Sequence, residues 1–189
     1  QFNNLTVATD STLNILNGGT VSVSGSFTNG GVLNAMYNGP TSFVYNGGDQ
    51  TVQASDESHY YHLTFSGTGT KTIQNANLNV AGDIALNTEF SAGSSTLVLN
   101  GTSVQTLSGN SSSLLNNVSI NNVNGLLLSK NQSIDGTLTL TNGLITTGNN
   151  SLTLTCNAST SGQSSQSYVN GKLARQYCAA TSYLFPIGK

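Results

Sequence analysis

Residues 56–65 read DESHYYHLTF and hold both histidines of the chain, His59 and His62, beside Asp56 and Glu57. Taken alone, the stretch suggests a metal or acid–base site. Two other stretches change that reading. FNNLTV (2–7) and LNNVSI (115–120) match YYHLTF (60–65), which aligns Leu5, Leu63 and Val118 at a nearly constant offset. His62 then stands on Asn4 and Asn117, and Tyr61 on Asn3 and Asn116. The stretch is one strand of a repeat. Residues three apart in an extended strand face opposite sides, and the i, i+4 geometry of helical metal motifs is missing. The expectation is no metal and no cofactor.

Working outward, a second set recurs further along each unit: TVSVSGSF (20–27), NLNVAGDIAL (77–86) and QSIDGTLTL (132–140). It aligns Val23, Val80 and Ile134 at almost the same offset. A third set, SFVYNGGDQTV (42–52) and TLVLNGTSVQTL (96–107), repeats it again. The chain of 189 residues therefore holds about three copies of a 55-residue unit, over 1–59, 60–113 and 114–167. Self-similarity at a fixed period points to stacked units that share one core.

Within each unit, runs such as TLNIL, TLVLN, TLTLT and SLTLT alternate a hydroxyl with an aliphatic residue. That period of two is the signal of a half-buried strand. No stretch has helical periodicity, so the fold class is all-β. Eight Asn-Gly pairs, at 17, 29, 38, 46, 100, 124, 142 and 170, mark the turns. Asn-Gly suits a two-residue hairpin and equally a solenoid corner that needs positive φ. A 55-residue unit whose strands do not pair off evenly favours the corner. The predicted architecture is a parallel β-helix (β-solenoid), right-handed by the crossover rule, with two or three coils per unit. An antiparallel β-sandwich or roll is the alternative. Leu5, Leu63 and Val118 are expected buried at equivalent positions, as are Val23, Val80 and Ile134.

Composition narrows function. Only 6% of residues are charged and the net charge is −2, against about 25% charged in an average domain. Ser, Asn, Thr and Gly supply 96 of the 189 residues. No basic footprint for nucleic acid exists, and no apolar run reaches the roughly 20 residues of a membrane span. The carboxylates do not read as an acid–base pair. Asp83 and Asp135 hold similar positions in successive units, but two or three coils would part them by roughly 10–15 Å. No nucleophile elbow or phosphate loop occurs, and no enzyme is expected. Thr137, Thr139, Thr141, Thr153 and Thr155 suggest the flat Thr ranks of ice-binding solenoids, but NVSI and NLNVAGDI break such a rank. Seven N-x-[ST] sequons, at Asn4, Asn100, Asn110, Asn117, Asn131, Asn149 and Asn157, are what chance supplies in so Asn-rich a chain.

The separation of Cys156 and Cys178 is no zinc spacing. In an oxidising compartment they are expected to form a disulfide. The Thr–aliphatic alternation stops after Thr155, and Lys172, Arg175, Pro186 and Lys189 follow. Residues 168–189 are therefore expected to leave the solenoid body of 1–167 as a capping or linking segment. Both ends of the chain look cut from a longer protein.

Residues 135–189 carry a family likeness. GTLTLTNGLITT, SYVNGKLAR and FPIGK resemble repeats of very large secreted surface proteins of Bacteroidetes, including gliding-motility adhesins exported by the type IX system. The likeness is looser over 1–134. It implies export, display at the bacterial cell surface and adhesion, with no catalytic residue to carry over. FPIGK would open a further module. Asp10-Ser11-Thr12 is similar to the D-[ST]-x O-glycosylation signal of that phylum and marks Ser11. The expected function is a structural and adhesive segment of a long extracellular fibre. Its partners would be surface glycans or other cell-surface or substratum ligands, and further modules of its own chain. A carbohydrate-binding or carbohydrate-active β-helix and an ice-binding solenoid are the alternatives.

Overall fold

The computed structural model describes residues 1–35, 39–53, 59–73, 77–178 and 182–188, His59 through its backbone alone. They form 23 strands and no helix. Every ladder between named strands is parallel. The chain is a right-handed parallel β-helix of about eight turns. A sandwich or roll is excluded, because hairpins would pair sequence neighbours antiparallel.

Three faces make a prism. Face 1 stacks β3 (Thr20–Val23), β6 (Ser42–Tyr45), β9 (His62–Phe65), β12 (Ile84–Leu86), β15 (Gln105–Ser108), β18 (Leu126–Leu128) and the start of β21 (Ile145–Leu154). Face 2 holds β1 (Leu5–Val7) on β4 (Phe27–Asn29), then β7 (Gln50–Val52), β10 (Thr70–Ile73) and β13 (Glu89–Ser91). It continues through β16 (Leu114–Leu115), β19 (Gln132–Ile134), the end of β21 and the end of β23 (Val169–Arg175), whose start at Val169 pairs with Ile145 on face 1. Face 3 holds β2 (Thr12–Asn14) on β5 (Val32–Asn34), then β8 (His59–Tyr60), β11 (Leu78–Val80), β14 (Thr96–Leu99), β17 (Asn117–Asn121), β20 (Thr137–Asn142) and β22 (Ser159–Ser161). β21 is long because it crosses an edge: Ile145 pairs with Leu126 on face 1, and Leu152 pairs with Gln132 on face 2. Gly148, at φ 57°, makes the bend.

The ladder register fixes the coil length, and that length varies. A short coil runs from Leu126 to Ile145, and the next, the longest, from Ile145 to Val169. Three repeat units fill about eight turns, so one unit spans about two and two-thirds coils. Each unit therefore begins one face away from the last. Leu5 lies on face 2, Leu63 on face 1 and Val118 on face 3; Val23, Val80 and Ile134 lie on faces 1, 3 and 2. All are buried except Leu5, which is half-buried against the core. The expected burial holds, but the expected equivalence is rotational: matched residues occupy matched places on different faces.

Alternation drives the packing. In β6, β9, β10 and β14 every second side chain is buried, as a period of two demands. The core changes character along the axis. Phe27, Phe43, Tyr45, Tyr60, Phe65 and Phe90 form one aromatic cluster with ring centroids 5.0–6.4 Å apart. Leucine and isoleucine fill the later coils, as Leu97, Leu99, Leu138, Leu140, Leu152 and Leu154. Each such side chain contributes about 1.5–3 kcal/mol by burial. Tyr45 and Tyr60 bring hydroxyls into this core. The two oxygens lie 2.9 Å apart, the Gln53 N–H donates to Tyr45 (3.0 Å), and Tyr60 donates to the Gln53 carbonyl (2.7 Å).

The body extends past residue 167. Val169 is buried, and β23 pairs with β21 as far as Leu154–Arg175, with one register shift between Thr146 and Ser151. Lysine and arginine are tolerated there because Val169 and Leu173 keep the inward places. No further strand follows among the described residues. Ile187 bridges to Val169, the Val169 N–H donates to the Pro186 carbonyl (2.7 Å), and Arg175 lies 4.6 Å from the Tyr183 ring centre. Cys156 and Cys178 are joined in a disulfide with Cα atoms 5.7 Å apart.

Burial pushes the Tyr45 and Tyr60 hydroxyls well above the ordinary tyrosine range. Unfolded tyrosine ionises near pH 10, so their contribution is complete below that pH and falls as pH rises beyond it. Alkaline titration followed by tyrosinate absorbance and circular dichroism is expected to show these two groups ionising only together with loss of the β signal.

Candidate functional site

The residues that could carry chemistry sit at the prism edges, and the three repeat sets explain why. A strand that ends at an edge leaves backbone groups outside the ladder, and buried ones must find partners. Asn4, His62 and Asn117, the matched residues of the first set, meet this need in the same way. Asn4 Oδ1 accepts the Ser26 N–H (2.8 Å), His62 Nδ1 the Asp83 N–H (3.0 Å) and Asn117 Oδ1 the Thr137 N–H (3.0 Å). Each reaches one coil onward. The residue just before each donor is a glycine of the second set: Gly25, Gly82 or Gly136. A Cβ there would lie within 3.0 Å of Asn4 Oδ1, His62 Nδ1 or Asn117 Oδ1, closer than real Cβ atoms come. Glycine is needed so that the clamp can approach.

The third set closes the same corner from the next coil. Gln50 Nε2 donates to the Val23 and Gly25 carbonyls (2.9 and 2.6 Å), and Gln105 Nε2 to those of Val80 and Gly82 (2.8 and 2.6 Å). Their Oε1 atoms accept the Gly47 and Gly101 N–H groups, both at 2.8 Å. In the third unit Cys156 takes the place of Gly47 and Gly101, the Ser159 N–H donates to the Gly136 carbonyl (3.0 Å) where a glutamine did in the other two, and the disulfide ties Cys156 to the coil after it. The three corners lie on three different edges, as the two-thirds step requires.

Other ionisable groups are bound up alike. Asp49 Oδ1 accepts the Thr70 N–H (2.8 Å) and Asp83 Oδ1 the Thr106 N–H (2.7 Å). Asp135 accepts the Thr155 hydroxyl and, at 3.3 Å, the Asn157 amide. Asp83 sits between faces 3 and 1, Asp135 between faces 2 and 3. They lie on different edges as well as in different coils, because the unit is not a whole number of coils. Lys71 is buried and donates to the carbonyls of Gly47, Gly48 and Thr68 at 3.0, 2.7 and 2.8 Å. Burial pushes its pKa down, and nearby Asp49 opposes that. Lys130 donates to the Ser111 carbonyl. Sequence reasoning does not single out Gln50, Gln105 or Lys71. Their signal is nonetheless present: the two glutamines recur at matched places of the third set, and Lys71 alternates in phase with Ile73.

His59 and His62 belong to different faces, parted by the corner at Tyr61. His62 Nδ1 also lies 3.5 Å from Asp83 Oδ2. Asp56 and Glu57 fall outside the described residues. Among the described residues no three His, Cys, Asp or Glu side chains form a group able to hold a metal ion. The Thr run divides. Thr137 and Thr139 face outward on face 3 against Ser159 and Ser161, at 3.0 and 3.3 Å, while Thr153 is on face 2 and Thr155 in a corner. Ser11 lies on an exposed turn after Asp10, which has φ 61°. A shallow groove of about 300 Å³ runs over three coils, with Val104 and Val123 60% and 79% exposed.

Comparison with known proteins gives no match to any family model, curated protein or solved structure. Function must therefore be argued from the geometry of the chain itself.

If His62 is a backbone clamp, asparagine is its natural substitute. His62→Asn is expected to melt near the wild-type temperature. His62→Leu leaves the Asp83 N–H without its acceptor and is expected to lose about 1–3 kcal/mol in denaturant unfolding.

Proposed function

We propose that the chain is a structural and adhesive segment of a long secreted bacterial cell-surface fibre. The observation that carries the reading is the use of ionisable groups. Asp49, Asp83, Asp135, Lys71, Lys130 and His62 each hold one coil to another. Stacked coils give stiffness along one axis, because each contacts only its neighbours. Eight coils at about 4.8 Å make a rod roughly 38 Å long. The Cys156–Cys178 disulfide and the absence of a membrane-crossing helix among the described residues are compatible with an extracellular location.

The partners that suit such a rod are surface glycans or other cell-surface and substratum ligands, met through hydroxyl and amide groups. In the fibre the rod would be flanked by further modules, exported through the type IX route and used in gliding motility. Ser11, on its exposed turn, is the candidate for an O-linked sugar.

Display of the chain on a non-adherent bacterium tests the proposal. Retention under flow on glycan-coated glass is expected to exceed that of the undecorated strain and to change little from low to high salt, since exposed charge pairs are few. Retention equal to the undecorated strain contradicts it. Thermal hysteresis would favour the ice-binding alternative, and release of sugar from the coating the carbohydrate-active one.

A further inference from the structure

Asn-Gly is the dipeptide most open to spontaneous deamidation. The glycine nitrogen loses its proton and attacks the asparagine Cγ, and the side-chain nitrogen leaves as ammonia. Water then opens the succinimide to aspartate or isoaspartate. A glycine N–H held in a hydrogen bond cannot present that nitrogen. Eight such pairs in one stable rod therefore raise the question of which survive.

Five are held. The Gly18 N–H donates to the Pro40 carbonyl (2.7 Å), Gly30 to Val7 (2.8 Å) and Gly125 to Asn122 (2.8 Å). Gly47 and Gly101 donate to the side chains of Gln50 and Gln105 at 2.8 Å. Asn170-Gly171 is exposed within β23, where Gly171, at φ 129°, drops out of the register with β21, and Asn38 is outside the described residues. Asn142-Gly143 differs. Asn142 is the exposed last residue of β20, the buried Gly143 follows at φ 83°, and no hydrogen bond from the Gly143 N–H is found among the described residues. One exposed bond tethers the side chain, from Asn142 Nδ2 to Asn121 Oδ1 (2.8 Å).

We infer that Asn142 is a deamidation site of the folded rod, and that the glutamines at the repeat corners shield Asn46 and Asn100 from the same reaction. Conversion puts a carboxylate beside Asn121, where β17 and β20 already shift register. An isoaspartate would also lengthen the backbone at the end of β20. The rod thus carries an ageing mark at one edge, while its repeat corners stay intact.

Peptide mapping after mildly alkaline incubation tests this. In the folded protein Asn142 is expected to gain the amide-to-acid mass change while Asn46, Asn100 and Asn124 do not; in urea all four react. Amide exchange should find the Gly143 N–H faster than those of Gly47, Gly101 and Gly125. Gln105→Leu, if it still melts cooperatively, should let Asn100 react in the folded state. Asn142 as inert as Asn100, or Gly143 protected like Gly101, overturns the inference, and an unreactive Asn100 in folded Gln105→Leu overturns the shielding.

Discussion

What the rod depends on is the satisfaction of backbone groups where the chain turns an edge. Along a face the parallel ladder pairs N–H groups with carbonyls. At an edge that pairing lapses, and a side chain must supply what the neighbouring strand cannot. Here an Asn or His from the coil before accepts the stray N–H, and a Gln from the coil after donates to the stray carbonyls. The glycine between them leaves room for the clamp. Three successive coils are tied at one point, and an unpaired buried amide group would cost about 1–3 kcal/mol. A chain with so few charges can hold together in this way because Asn, Gln and Gly do the fastening.

The same corner explains the length of the repeat. The unit is not a whole number of coils, so each copy places its corner on the next edge of the prism. After three copies the pattern has visited all edges, and the fastening is spread around the axis rather than along one side. In a longer array, any feature that belongs to the unit would be presented in three directions. The third corner lacks the glutamine; there the Ser159 N–H donates to the Gly136 carbonyl (3.0 Å), and the Cys156–Cys178 disulfide ties the coil to the one after it.

Much of this is legible in the sequence, and the gaps have physical causes. Alternation in SFVYN and TLVLN marks strands, and the recurrence of YYHLTF resolves the histidines as a strand position. The rotation of the unit is hidden because coil length varies, as the unequal steps from Leu126 to Ile145 and from Ile145 to Val169 show. No short period then stands out beneath the long one. For the same reason Asp83 and Asp135 look aligned in the sequence when they lie on different edges. Composition places the end of the body too early, at 167, because Lys172 and Arg175 break it while Val169 and Leu173 keep the pattern. Lys71 escapes notice because lysine is expected outside, although its inward place follows from alternation with Ile73. Who meets the outer surface is not written in either pattern, since the residues that repeat most strictly are the ones that face the corners.

The most direct test of the corner is the glycine. Gly25, Gly82 and Gly136 need no unusual backbone conformation, so alanine there challenges close approach alone. Gly48 is the control, since a Cβ there meets nothing nearer than 4.0 Å. Thermal unfolding of the four alanine variants is predicted to show clear loss for Gly25→Ala, Gly82→Ala and Gly136→Ala and little change for Gly48→Ala. Corner variants that melt with Gly48→Ala and the parent would contradict the account.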